Sequence, residues 1–253
     1  MNVTQHDATT APHQVCVIFA AGQYYAERPE VPAGAFVVAA DGGYDHANEL
    51  GVTPDVVIGD FDSIAQLPDT TDTIALPAQK DETDMPQAVK IGWNHGIREF
   101  HLYGGLGGRI DHSLANLQLL AGIAQHGGIG FLHGNGTVVT AIANGELTFA
   151  ANQVAERRMV SVFAHSDHAL GVTIRGLKYE TQPVDWVNSH ALGVSNEFLP
   201  GVASSISVRE GTLIITYPAE APAPEWNTSV QEAQSFGEID DYESQLLSPL
   251  FRQ

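Results

Sequence analysis

The chain has 253 residues, 43% of them apolar, with 25 glycines, a make-up that suits an ordinary globular protein large enough to bury a core. Its 30 acidic residues against 11 lysines and arginines give a formal net charge of −19, so nucleic acid and anionic membrane surfaces, which need clustered cations, are not expected partners. Cys16 is the only cysteine, which excludes an intrachain disulfide and a cysteine zinc site, and no stretch approaches the roughly 20 apolar residues that span a bilayer.

Residues 1–14 are polar, without the basic start and apolar middle of a secretory signal, and read as a disordered leader. The cytoplasm is therefore the expected compartment. From Val15 onward, short apolar runs predict strands at Val15–Ala21, Ala35–Ala40, Val56–Ile58, Thr73–Leu76, Phe100–Tyr103, Gly130–Leu132 and Val138–Ile142. Between them Asp84–Gly96 and Asp111–Gly127 have helical periodicity, the second with Leu114, Leu117, Leu120, Ala121 and Ala124 on one face. Near-continuously apolar strands separated by helices predict a parallel sheet covered on both sides, an α/β domain over residues 15–145. Beyond about Glu146 the runs Val160–Ala164, Val172–Arg175, Ser205–Arg209 and Leu213–Tyr217 alternate with turns and predict a smaller all-β sandwich domain over 146–218. The Pro-rich PAEAPAPEW and the acidic run after it read as a linker and tail, 219–253.

Four segments of the α/β half, and one of the β unit, carry chemistry. In VVIGDFDSI, residues 56–64, a buried strand runs into Gly59, and Asp60 and Asp62, two apart, project to one side just past the strand end. Ligands of open α/β sheets bind at that end of the strands. Two converging carboxylates repel unless a cation lies between them, and Mg²⁺, which also bridges phosphates, fits; a turn with one Asp capping a helix is the plainer alternative. In KDETD, residues 80–84, Asp81 and Asp84 face one way at a helix start, where capping serves equally. In YGGLGGRIDH, residues 103–112, glycines and a helix start can approach an anion, with Arg109 to grip phosphate oxygens. In ADGGYDHANELG, residues 40–51, Asp41 ends a strand and can join the same crevice, while Asp45 and His46 face solvent. In the β unit, Ser195 and Asn196 of GVSNEF can orient a heteroaromatic ligand or simply make a turn.

Taken together, Asp41–Gly43, Gly59–Ser63, Lys80–Asp84, Gly107–His112 and Ser195–Glu197 resemble, in this order, the DGG, GDFDS, KDxTD, GGRxDH and SNE motifs of the thiamine pyrophosphokinase family. The match spans roughly residues 15–217. The resemblance implies transfer of a diphosphate from ATP to thiamine by a homodimer, with thiamine between the α/β domain of one subunit and the β domain of the other. It implies Mg²⁺ among Asp41, Asp60, Asp62 and Asp84, and ATP near Asp41, Gly42, Ser63, Lys80, Asp81, Thr83, Gly107, Gly108 and Arg109. It further implies thiamine near Asp84, Asp111, Ser195 and Asn196, and catalysis by Asp60, Asp84, Arg109 and Asp111. The aromatic residue that stacks on thiamine is open among Tyr179, Trp186, Phe198 and Trp226. The rival expectations are a HAD-like phosphatase, whose Asp-x-Asp also follows a strand, a diphosphokinase for another alcohol such as a pterin, and a non-catalytic nucleotide or thiamine sensor.

Overall fold

The computed structural model describes residues 14–25, 28–59, 72–75 and 82–239. Asp60, Asp62, Ser63, Lys80 and Asp81, all expected at the site, lie outside them. The chain opens with β1 (Val15–Phe19), β2 (Phe36–Ala40), α1 (Gly43–Glu49), β3 (Val56–Gly59), β4 (Asp72–Ala75), α2 (Asp84–Asn94), β5 (Glu99–Tyr103), α3 (Ile110–Gln125) and β6 (Ile129–Gly134). These six strands are parallel, in the order β6-β5-β1-β2-β3-β4. The chain winds outward from β1 to β4, then returns to the other side of β1 for β5 and β6. The strand order thus reverses between β1 and β5.

Side-chain alternation along these strands sorts the two faces. Cys16, Ile18, Val38, Ile58, Phe100, Leu102 and Leu132 pack with Ala88, Val89, Trp93, Leu120 and Ile123 of α2 and α3. Val17, Phe19, Val37 and Tyr103 point the other way, onto Ala47 of α1 and the segment that joins β1 to β2. The buried stripe of α3 is Asn116, Leu119, Leu120, Ala121, Ile123 and Ala124. Leu114, expected on it, is exposed, since α3 buries side chains only from Asn116 onward.

The remaining strands are β7 (Thr137–Ala143), β8 (Gly145–Phe149), β9 (Met159–Ala164), β10 (His168–Arg175), β11 (Thr181–Val187), β12 (Gly193–Glu197), β13 (Ser204–Ser207), β14 (Thr212–Pro218) and β15 (Glu225–Thr228). A two-residue turn, Asn135–Gly136, with both residues at positive φ, folds β7 back antiparallel on β6. β14, β9 and β12 follow, so one ten-stranded sheet runs through both halves of the chain. One sheet of the sandwich that the sequence suggests is the continuation of the parallel sheet. That pairing removes the open edge β6 would otherwise present. The second sheet, β11-β10-β13-β8-β15, is antiparallel and closes over it, burying Phe131, Ile142, Leu147, Phe149, Val162, Val172, Ile206 and Ile215 between the layers.

Residues 219–239, within the segment read as linker and tail, pack on the rest of the fold. β15 pairs with β8, and beyond it the chain lies across the helix layer. The Trp93 indole and Arg98 both donate to the Ala233 carbonyl, at 3.0 and 3.3 Å, Arg98 pairs with Glu232 at 2.6 Å, and Phe236 packs on Trp93 at 5.2 Å between centroids. A four-residue strand in a Pro-rich setting has too little alternation to be read from sequence. Among the described residues no helix is long and apolar enough to cross a membrane.

Candidate active site

Each helix between two parallel strands runs opposite to them, so its N-terminus lies at their carboxyl ends. That rule brings the starts of α1, α2 and α3 to one edge of the sheet, beside the reversal between β1 and β5, where open α/β sheets bind ligands. Asp41 and Gly42 precede α1, Asp84 begins α2, and Arg109 and Asp111 begin α3.

Asp41 closes β2 in the left-handed region, φ 51°, and its backbone N–H donates to Ile58 at the end of β3, at 2.8 Å. The backbones touch there: a Cβ on Gly59 would lie 3.2 Å from the Asp41 Cα. Gly59, the last residue of β3, therefore lies directly alongside Asp41. Gly43 lets α1 start directly over the end of β1, since a Cβ would collide with the Phe19 carbonyl oxygen. One carboxylate oxygen of Asp41, Oδ1, is buried, and so is Oδ1 of Asp84. Thr83, the residue before α2, is extended and exposed and makes no side-chain cap.

Glu82 is a residue that sequence reasoning passed over. It accepts from Lys90 Nζ at 2.6 Å and Gln87 Nε2 at 2.9 Å. Lys90 is buried, so this pair ties the end of the KDETD segment to α2 and positions Asp84. The only signal in the sequence was a lysine on the apolar face of a helix.

The glycine loop after β5 is held from beneath. The buried Asn116 amide donates to the Gly105 carbonyl at 2.7 Å, and the Gly107 N–H donates to Ser113 Oγ at 3.1 Å. Gly107 has φ 92° and abuts the Tyr25 hydroxyl, where a Cβ has no room. Beyond it Gly108 is exposed, Arg109 is 71% exposed and Asp111 63%. Arg109 grips Asp111 with two hydrogen bonds, 3.2 and 2.6 Å, and holds its carboxyl down to about 2. An anion reaching this loop meets a guanidinium already oriented but open to solvent.

Ser195 and Asn196 lie elsewhere, on the far edge strand β12. A bulge interrupts its pairing with β9, and Ser195 sits in it at φ 61°, exposed, with its N–H donating to Ser161 Oγ at 3.1 Å. Bulges of this kind re-aim side chains near ligand sites. Asn196 is only 4% exposed. Its Oδ1 accepts from the N–H groups of Tyr179 and Glu197, both at 2.9 Å, and its Nδ2 donates to the Tyr179 carbonyl at 2.7 Å. Asn196 thus clamps the turn that carries Tyr179. Of the four aromatic candidates, Trp186 and Phe198 are buried in the sandwich core and Trp226 packs against it, while Tyr179 is 59% exposed.

Residues 31–129 match the family model described as thiamin pyrophosphokinase, catalytic domain, and residues 146–213 the one described as thiamin pyrophosphokinase, vitamin B1 binding domain. Together they cover about two thirds of the chain. The chain belongs to the thiamin pyrophosphokinase family. Among relatives, the thiamine pyrophosphokinase of Bacillus subtilis (strain 168) is 26% identical over 185 residues, 70% of this chain and 85% of that protein. Thiamin pyrophosphokinase 1 of Caenorhabditis elegans is 26% identical over 154 residues, 57% of this chain and 62% of that protein. The thiamin pyrophosphokinase structure from Geobacillus thermodenitrificans superimposes with TM-score 0.70 at 26% identity, over 81% of this chain and 98% of that one. That from Candida albicans, at 13% identity, shares the fold with TM-score 0.65 over 81% of this chain and 89% of that one.

Proposed function

We propose that this chain is a thiamine pyrophosphokinase, transferring the diphosphate of ATP to the hydroxyl of thiamine and releasing AMP, in the cytoplasm. The convergence of Asp41, Asp84 and the Arg109 loop on one edge of the sheet, in a chain matching both domains of this family, carries the reading. The matched models favour it over a phosphatase, a pterin diphosphokinase or a non-catalytic sensor. In the reaction the thiamine oxygen attacks the β-phosphorus, the bond to the α-phosphate's bridging oxygen breaks, and the hydroxyl proton passes to a base. Positioning and charge neutralisation dominate such transfers.

Mg²⁺ fits the donor set, all carboxylate oxygens at the mouth of the sheet, and Asp41, Asp84 and, by the motif they share, Asp60 and Asp62 would hold it. When bound it would offset phosphate charge in a chain that is itself strongly anionic. Arg109 would hold transferring or leaving oxygens, and releasing Asp111 to do so would free that carboxylate to orient the substrate. Asp84 would complete the metal shell or accept the hydroxyl proton.

Thiamine would contact Ser195 and the exposed Tyr179. Within one chain β12 is separated from β5 by β9, β14, β7 and β6; at about 4.8 Å per strand that is roughly 24 Å, too far for one vitamin to bridge. We therefore propose a homodimer, in which the β12 surface of one subunit faces the α/β edge of the other. Leu192, Val194 and Met159 around Ser195, and Ile110 and Leu114 beside Arg109, are large exposed apolar residues at the two surfaces such a dimer would cover.

The test is incubation with ATP, Mg²⁺ and thiamine, in which AMP and thiamine diphosphate should appear in equal amounts. Asp41→Asn and Asp84→Asn should each lower kcat/KM by about 10²–10³ while the fold persists. Phosphate release without AMP would refute the proposal, and near-normal turnover in both variants would refute the metal site.

A further inference from the structure

The strap of residues 229–239 lies outside both matched domains and on the helix side of the large sheet. Val230, Ala233, Phe236 and Ile239 are half-buried against the core there, and the residues between them are exposed. That three-residue period belongs to neither a helix nor a strand; the strap is an irregular chain laid across its neighbours. It is pinned at Ala233, whose N–H donates to the His126 carbonyl at the end of α3, at 2.9 Å, and whose carbonyl accepts from Trp93 of α2. Glu232 lies so close to Gly127 that a Cβ there would stand 2.8 Å from the Glu232 Cα. From this pin the strap runs back along α2, against the helix direction. Phe236 lies on Trp93 and Gly237 on Lys90, about one turn nearer Asp84.

Gly237 fits there because it has no side chain. A Cβ would lie 3.2 Å from Lys90 Cε and 3.7 Å from Nζ, and its φ of 121° is a backbone region that favours glycine. A lysine has many rotamers to lose on burial, and the strap backbone is what confines this one. Lys90 is 5% exposed, and its ammonium meets Glu82 at 2.6 Å. A buried ammonium that loses its carboxylate is costly, so where Lys90 is held, Glu82 is held, and Glu82 stands just before Thr83 and Asp84. Thr83 supplies no side-chain cap, the usual anchor of a helix start. The tether through Lys90 stands in for one.

We propose that Gly237 and Lys90 are positioning residues for the transfer: the strap fixes Lys90, Lys90 fixes Glu82, and Glu82 sets where Asp84 stands at the sheet edge. The inference rests on the reading of this edge as the place where thiamine diphosphate is formed. In this role neither residue touches substrate. Both act on the geometry of Asp84, so their effect falls on turnover more than on binding.

Two variants of the full chain test it. Gly237→Val sets a branched side chain against Lys90, and Lys90→Met keeps a buried stem without the charge. Circular dichroism checks that both fold. Hydrogen exchange read by mass spectrometry compares residues 82–89 with 110–117 at the start of α3. In each variant exchange over 82–89 should rise roughly tenfold with 110–117 unchanged. The kcat should fall about tenfold, by more than either KM rises. The double variant should be no worse than the more affected single one, because both break one chain of contacts. Unchanged exchange over 82–89 in both variants, or a rise shared with 110–117, overturns the proposal. So does full kcat with raised exchange, which would leave the strap a purely stabilising element, and so do losses that add in the double variant. A wild type that forms no thiamine diphosphate puts the reaction itself at fault. Exchange then judges the tether alone: a rise confined to 82–89 supports it, and no rise overturns it.

Discussion

Asn196, expected beside the ligand, is bound to the backbone of its neighbours. Its amide fills three hydrogen bonds, two of them to the backbone of Tyr179, so Asn196→Ala leaves buried donors and acceptors unmet. The expected loss is about 1–3 kcal/mol in urea unfolding, together with a raised KM for thiamine because Tyr179 loses its support. A variant as stable as the wild type would mean that this clamp contributes nothing. His133 gives a second measurable consequence. Its ordinary pKa of 6.5 is lowered to about 3 in the folded chain, first by burial and then by His101. Between those values the unfolded chain binds a proton that the folded chain refuses, so stability falls as pH drops from about 6.5 toward 3. His133→Phe should flatten that fall by on the order of 1–2 kcal/mol between pH 7 and 4.5; comparing the two pH values cancels the fixed cost of the substitution. Parallel profiles for variant and wild type would show that another group drives the acid sensitivity.

At the scale of elements, the strap after β15 is the part of the fold with the largest untested consequence. It satisfies the Trp93 indole and Arg98 and lays Phe236 over both Trp93 and His126. Phe236→Ala should cost about 1–2 kcal/mol, less than a full core truncation because the ring is only half-buried, and should speed amide exchange at the Trp93 end of α2. An unaltered melting temperature would mean that the strap merely rests on the surface. The parallel strands and both long helices were legible because each carries a run of apolar residues with a single period. What escaped was set by partners distant in sequence. β15 is defined by β8, the buried stripe of α3 by the Asn116 anchor under Gly105, and the continuous sheet by the hairpin at Asn135–Gly136. Of the candidate site, the sequence motifs named the residues at the sheet edge, but not the Glu82–Lys90 tether nor the burial of Trp186, since neither follows from local pattern.

For the whole molecule, the separation of the two halves of the proposed site is the decisive quantity. Asp41 ends β2 and Ser195 lies on β12, seven strand spacings away in the sheet order, or about 34 Å at the usual interval. No conformational change short of unfolding the sheet brings them together in one chain, so the proposed site calls for a second copy to supply one half. That makes a sharp prediction about mixtures. A subunit carrying Asp41→Asn has a disabled edge and an intact β12 surface; one carrying Ser195→Tyr has the reverse. Each homodimer should be nearly inactive. A mixed two-fold dimer places both lesions in one site and neither in the other. With random exchange half the dimers are mixed, so about a quarter of the wild-type sites should be restored. Distinct affinity tags on the two variants, with co-purification through both, confirm that exchange has occurred, and thiamine diphosphate formation reads the result. Recovery near a quarter requires a site shared between subunits, whereas mixed dimers that stay inactive would confine the site to a single chain and send the search for the thiamine contacts back to the α/β edge.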